Sequence, residues 1–209
     1  LPISLTKSRN LVTIKILQDI GVDYAIDYAA KMGIASKLSR DLSIALGSSG
    51  ISLLELLRAY SVFANQGYLV EPVFVLKVTD RHGNVLEEMA NERKKVIEKS
   101  TAYIMTSLLE GVVKHGTGRR VRALKRPVAG KTGTTNNLFD AWFVGYTPQF
   151  ITGVWVGLDE EAPLGKGETG SRAASPIWLG FMQGVLENEP VKVFQAPEGI
   201  VFAKIDADS

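Results

Sequence analysis

Lys131, Thr132 and Gly133, inside the run VAGKTGTTNN, set a cation, a hydroxyl and an unhindered peptide group on consecutive positions. Three readings fit such a string. A phosphate-binding loop needs a glycine at residue 125, five before Gly130, and a helix opening at the lysine. The chain has Lys125, Arg126 and Pro127 there, and its Gly-Lys-Thr sits within a strand-like run, so that reading fails. A structural reading makes Gly130 and Gly133 a close-passing edge strand with Lys131 on the surface. An acyl-transfer reading uses the same strand edge to hold a substrate carboxylate and a developing oxyanion. By strand alternation Thr132 and Thr134 share one face. Acyl transfer also calls for a serine nucleophile and a base, and beside a Lys-Thr-Gly strand usually for a Ser-x-Asn element. Ser8-Arg9-Asn10 supplies the last of these at the other end of the chain. Alone, either triplet is uninformative; together they favour acyl transfer.

The elements that must position these residues follow from apolar periodicity. Leu11, Ile14, Leu17 and Ile20 form a helical stripe over residues 10–20, closed by Gly21. Asp23 is expected to cap a short helix over 24–32 that ends at Gly33. Ser52 and Glu55 have capping-box spacing ahead of a helix over 53–66, stopped by Gly67. Residues 73–78 and 85–88 read as a hairpin around a polar tip that carries His82, a solvated loop histidine. The charge run at 91–95 reads as a solvated connector. A helix from Ser100 should bury Ile104, Met105, Leu108, Leu109, Val112 and Val113, with His115 in its last turn, where a cation suits the helix dipole. Strands over 127–134, 141–146 and 151–157 are joined by short turns and so are antiparallel neighbours. A last helix covers roughly 177–187. Helices first, a sheet late and a closing helix make an α+β pattern.

Composition narrows the classes. The 209 residues are 45% hydrophobic and 22% charged, with a net charge of +2 that is dispersed and argues for no nucleic acid. There is no cysteine, hence no thiolate nucleophile or disulfide, and two histidines without cysteine argue against a zinc site. No apolar run reaches the ~20 residues of a bilayer span. The chain opens without methionine or a signal peptide, as a processed product or an excised piece would.

Seven blocks then carry a resemblance in order: KSRNLVTIKILQDIG, ALGSSGISLLELLRAYSVFANQG, TAYIMTSLLEGVVKHGTG, RPVAGKTGTTNNLFDAWFVGYTP, GVWVGLDE, ETGSRAASPIW and FQAPEGI. From Ser8 to about Ile200 the chain resembles the transpeptidase domain of class A, bifunctional penicillin-binding proteins. The resemblance implies an antiparallel sheet flanked by helices and a serine acyltransferase of cell-wall synthesis, on the extracytoplasmic, periplasmic side of the bacterial inner membrane. Its substrate is a peptidoglycan stem peptide ending in D-Ala-D-Ala, which β-lactams mimic, and it uses no metal and no cofactor. Carried over by position, Lys131 is the cation beside the Ser8 hydroxyl, and Ser8 relays a proton to the leaving group. Asn10 orients the substrate amide. Thr132 and Thr134 hold the carboxylate beside Gly133, the Thr134 N–H supplies part of the oxyanion hole, and Thr135 is an adjacent candidate.

The family's nucleophile lies in a Ser-x-x-Lys motif on a different helix, upstream of Ser-x-Asn. Ser4-Leu-Thr-Lys7 matches literally, yet on one helix Ser4 and Ser8 would stand a turn apart on the same face, whereas the two motifs must converge from separate elements. Residues 1–209 therefore read as a partial transpeptidase domain without its nucleophile; a few residues absent between Leu5 and Ser8 would make Ser4-x-x-Lys7 an accident of joining. The glycosyltransferase domain and the membrane anchor are expected outside this chain. The blocks fit class A better than class B or a D,D-carboxypeptidase; the non-enzyme alternative is a pseudo-enzyme or fragment that binds a partner or muropeptide. Without the nucleophile helix the remaining core should expose apolar surface and self-associate.

Overall fold

The computed structural model describes residues 2–90 and 92–203. Helices α1 (Pro2–Thr6), α2 (Asn10–Ile20), α3 (Val22–Lys31) and α4 (Leu53–Ala64) come first, and α5 (Lys99–His115) follows four short strands. Those strands, β1 (Tyr68–Val70), β2 (Lys77–Thr79), β3 (Val85–Glu88) and β4 (Arg93–Lys95), form two ribbons, β1 with β4 and β2 with β3. A central antiparallel sheet of β5 (Ala129–Thr134), β6 (Ala141–Tyr146) and β7 (Ile151–Val156) runs in sequence order, and α6 (Ser175–Val185) closes the fold. This is the α+β arrangement that the order of apolar patterns implies.

Register assigns the faces of the central sheet. Thr132 lies opposite Phe143 and Gly130 opposite Gly145, while Gly133 lies opposite Trp142 and Ala129 opposite Tyr146. Phe143 packs edge-on against Trp178 of α6, and a side chain on Gly145 would press into that same indole. The other face meets α4 and α5: a Cβ on Gly153 would crowd Leu53 and Leu57, and the buried Tyr146 ring reaches Thr106. Lys131 and Gly133 therefore share the α4/α5 face, and Thr132 and Thr134 the α6 face.

Several local expectations need correction. Asp23 caps nothing; Gly21, at φ 89°, turns α2 straight into α3, and Asp23 sits in the first turn of α3 paired with Arg40. The buried stripe of α5 is Ala102, Thr106, Leu109, Val112 and Val113, and Ile104 is exposed, because the helix turns a hydroxyl toward Tyr146. Arg93–Lys95, inside the expected connector, pairs with Tyr68–Val70, since backbone pairing leaves exposed charged side chains free. Residues 73–76 stay outside the β2–β3 ladder, with Phe74 83% exposed. On α2 only Leu17 of the expected stripe is buried; Leu11 and Ile20 face outward. The capping box on α4 is present, Ser52 and Glu55 each bonding the other's backbone N–H.

Candidate active site

The chain places Ser8 by ending α1 sharply. The Arg9 N–H donates to Ser4 O at 2.8 Å and the Ser8 N–H to Leu5 O at 3.2 Å, the paired bonds of a Schellman motif. That motif requires a left-handed residue, and Ser8 takes the position at φ 51° without being glycine. Such a conformation costs on the order of 1 kcal/mol for a side-chain-bearing residue and persists where its surroundings enforce it. α2 then starts two residues later, so Ser4 and Ser8 do not share a helix. Ser4 Oγ has no lysine partner among the described residues.

The end of α5 supplies the enforcing surroundings. A Cβ on Gly116 would collide with Thr6 O, so only glycine lets α1 and α5 approach this closely. The Thr117 N–H donates to Thr6 O at 3.3 Å, and the Thr117 hydroxyl meets that of Thr132 at 2.7 Å. The end of α1, the end of α5 and strand β5 are thereby tied together, which delivers Lys131 to Ser8. Lys131 Nζ donates to Ser8 Oγ at 2.5 Å and to Thr132 O at 2.9 Å, although 123 residues separate Ser8 from Lys131. No carboxylate pairs with Lys131 among the described residues. Burial pulls its ammonium down to about 8.

The remaining candidates fall along the same strand and the helix beside it. Asn10 is the first residue of α2, exposed and without a side-chain partner among the described residues. Thr134 Oγ1 accepts the Gly170 N–H at 3.0 Å. Gly170 opens a π-helical turn (Gly170–Ala174), and any side chain there would strike the carbonyls of Gly133 and Trp142. Gly133 itself presents bare backbone over Trp142. Thr135 Oγ1 accepts two backbone N–H groups, from Phe139 and Asp140, each at 2.9 Å. Its oxygen holds the β5–β6 turn, which leaves only its hydroxyl hydrogen for a substrate.

Sequence reasoning had not singled out Thr117 or Gly170. Thr117 follows Gly116 just past α5, and Gly170 follows Thr169 ahead of α6; each became visible only through the backbone it abuts. As assembled, the site offers an exposed serine hydroxyl touching a desolvated amine whose charge changes near neutral pH. A strand bearing two more hydroxyls and small residues lies beside that pair. Such an arrangement can move a proton at Ser8 Oγ and can attract a carboxylate to β5.

Residues 2–182 match the family described as the penicillin binding protein transpeptidase domain. The chain is 37% identical to penicillin-binding protein 1A of Pseudomonas aeruginosa, over 97% of this chain and 31% of that protein. It is 41% identical to penicillin-binding protein 1A of Aquifex aeolicus, over 95% of this chain and 27% of that one. It thus spans about a third or less of the curated relatives it matches. Its backbone superposes on the crystal structure of penicillin-binding protein 1A from Haemophilus influenzae with a TM-score of 0.92 at 28% identity, covering 99% of this chain and 37% of that one. On PonA1 from Mycobacterium tuberculosis in complex with penicillin V the TM-score is 0.83, at 28% identity, covering 96% of this chain and 60% of that one.

Proposed function

This chain belongs to the transpeptidase family of class A penicillin-binding proteins, and from that premise we propose that it carries two active-site elements of a peptidoglycan D,D-transpeptidase. The observation that carries the reading is the contact of Lys131 Nζ with Ser8 Oγ at 2.5 Å, between residues far apart in sequence. A stem peptide ending in D-Ala-D-Ala lies along β5 with its carboxylate toward Thr132 and Thr134. Asn10 holds the scissile amide and the Thr134 N–H faces the developing oxyanion. Lys131, still protonated in about nine molecules in ten at pH 7 given its value near 8, passes that proton through Ser8 Oγ to the departing D-Ala amine and is left neutral. A second stem's amine then resolves the acyl-enzyme. The acyl-accepting serine belongs to a Ser-x-x-Lys element other than Ser4–Lys7. β-Lactams enter as mimics of the donor. The working compartment is the periplasmic side of the inner membrane, reached through an anchor beyond these residues; among the described residues no helix is long and apolar enough to cross a membrane. A non-catalytic muropeptide binder is the less economical reading, because holding a carboxylate needs only a charged lysine, whereas Lys131 is brought down to about 8 and set against the Ser8 hydroxyl, where it can exchange a proton.

The test has two arms. On titration with N-acetyl-Lys-D-Ala-D-Ala, the amide resonances of Ser8, Asn10 and Lys131 to Thr134 should shift together; shifts confined to other regions would sink the assignment. On incubation with benzylpenicillin, intact mass and peptide mapping should show no adduct on Ser4 or Ser8. An adduct on either would make this chain a self-sufficient acylating unit and overturn the division of roles.

A further inference from the structure

A cleft of about 470 Å³ lies between the second half of α4, the first half of α5 and the extended segment 191–197. No residue of α1, α2 or β5 lines it, so it is separate from the Ser8–Lys131 site. Its volume falls within the ~300–1,000 Å³ typical of small-molecule sites. Three aromatic rings line it, Phe63 from α4, Tyr103 from α5 and Phe194 from the segment, and Gln66 stands beside them. The segment is held in place from both ends. Phe194 packs edge-on against Tyr146 and Phe202 against Tyr103. Arg126 donates to the carbonyls of Leu186, Glu189 and Pro190 just before it.

The charges on the lining have one sign. Lys99 and Lys192 contribute ammonium groups, and no Asp or Glu lines the cleft. Neither lysine is in an ion pair among the described residues, and Glu98, next to Lys99, is engaged by Lys95 at 2.7 Å. Lys99 is also the first residue of the 17-residue α5, whose N-terminal end carries a partial positive charge. Rings on the walls and uncompensated cations at the margin select a ligand with a flat apolar body and an acidic head.

We propose that this cleft is a binding site for a small aromatic anion, the ring seated among Phe63, Tyr103 and Phe194 and the acid between Lys99 and Lys192. The probe is anilinonaphthalene sulfonate, followed on the 209-residue chain by amide resonances. Saturable shifts should centre on Lys99, Tyr103 and Phe194 and weaken as salt is added, since the head is held by charge. Phenylnaphthylamine, which keeps the rings and lacks the sulfonate, should bind there about tenfold more weakly or worse. The K99E/K192E variant should weaken the sulfonate probe by a similar factor, while K77E/K94E, with the same charge change on the two ribbons, should leave it unaltered. The inference is overturned if the shifts centre elsewhere, if the uncharged probe binds equally well, or if K99E/K192E retains wild-type affinity. The comparison of the two probes on the wild-type chain stands even if a variant fails to fold.

Discussion

Lys131 is held partly away from water, with a hydroxyl and a carbonyl as partners and no acid among the described residues to neutralise it, so the fold carries it at a cost. Burial lowers its value to about 8, against 10.5 in the unfolded chain. Below pH 8 both states bind the proton and the penalty is fully present. Between about 8 and 10.5 the unfolded state binds more protons than the folded one, and stability rises with pH. Lys131→Met removes that titration. We therefore expect the stability of the variant minus that of the wild type to fall by about 1–3 kcal/mol between pH 7.5 and 10.5, measured by urea unfolding of both chains at each pH. A constant difference would mean that the amine is solvated in the folded chain. The types of the candidate groups were legible from the sequence, because Lys-Thr-Gly and Ser-x-Asn each put donors and small residues at fixed spacing. Their supports were not. Thr117 and Gly170 act through a hydroxyl contact and a close backbone passage that exist only once α5, β5 and the turn before α6 have met.

Elements with a strong apolar period were legible in outline, and the deviations arise where a polar group enters the core. On α5 the apolar positions alone suggest a face that includes Ile104, whereas the buried stripe runs through Thr106. Thr106 donates to Ala102 O, which leaves its oxygen to accept from the fully buried Tyr146 hydroxyl at 2.9 Å. Thr106→Val strands that donor and should cost ~1–3 kcal/mol. Tyr146→Phe in the same chain should recover most of the loss, so a double-mutant cycle by chemical denaturation reads the coupling directly; additive losses would show that the two groups do not depend on each other. Glu55 plays the corresponding part at the start of α4. Its carboxylate takes five hydrogen bonds, from the Ala35 N–H and from the N–H and hydroxyl of Ser36 and Ser52. Bonds from Ser52 and then Ser36 pull it down to about 2. The stabilisation is present above the unfolded value of 4.5 and is lost as pH falls toward 2. Glu55→Gln should accordingly lower Tm at pH 7 and lose that deficit by about pH 2, as thermal scans across the interval would show. A capping box is visible as Ser and Glu at fixed spacing; the second grip, on residues 35 and 36, is a tertiary contact with no local signature.

Across the whole molecule, apolar surface is distributed unevenly. The α6 face of the central sheet is closed by Trp178, Met182 and Leu186, all essentially without exposure. Elsewhere Ile16 and Ile20 stand out from one side of α2, with Leu11 on another, and Phe74, Leu76 and Leu86 from the region around the β2–β3 ribbon. Isolated exposed hydrophobics are ordinary, but clusters on one element offer a surface for association. Composition could not reveal this, because an overall hydrophobic fraction of 45% says nothing about which side of α2 finds a partner. Only Leu17 of that helix is buried, so its amphipathic pattern exceeds what the fold uses. The expected consequence is concentration-dependent self-association, rising between about 1 and about 100 µM by mass action and strengthened by sulfate, which favours apolar burial. Sedimentation velocity across that range reads it. Ile16→Lys with Ile20→Lys should shift the chain toward monomer if that side of α2 is the adhesive face, and Phe74→Lys with Leu86→Lys should do so if the ribbon region is. Neither pair touches Ser8, Thr117 or Lys131, so titration with the D-Ala-D-Ala peptide should be unchanged in both. A wild-type chain that remains a single monomeric species at the highest concentration would show that these faces are too small or too interrupted by charge to hold a partner.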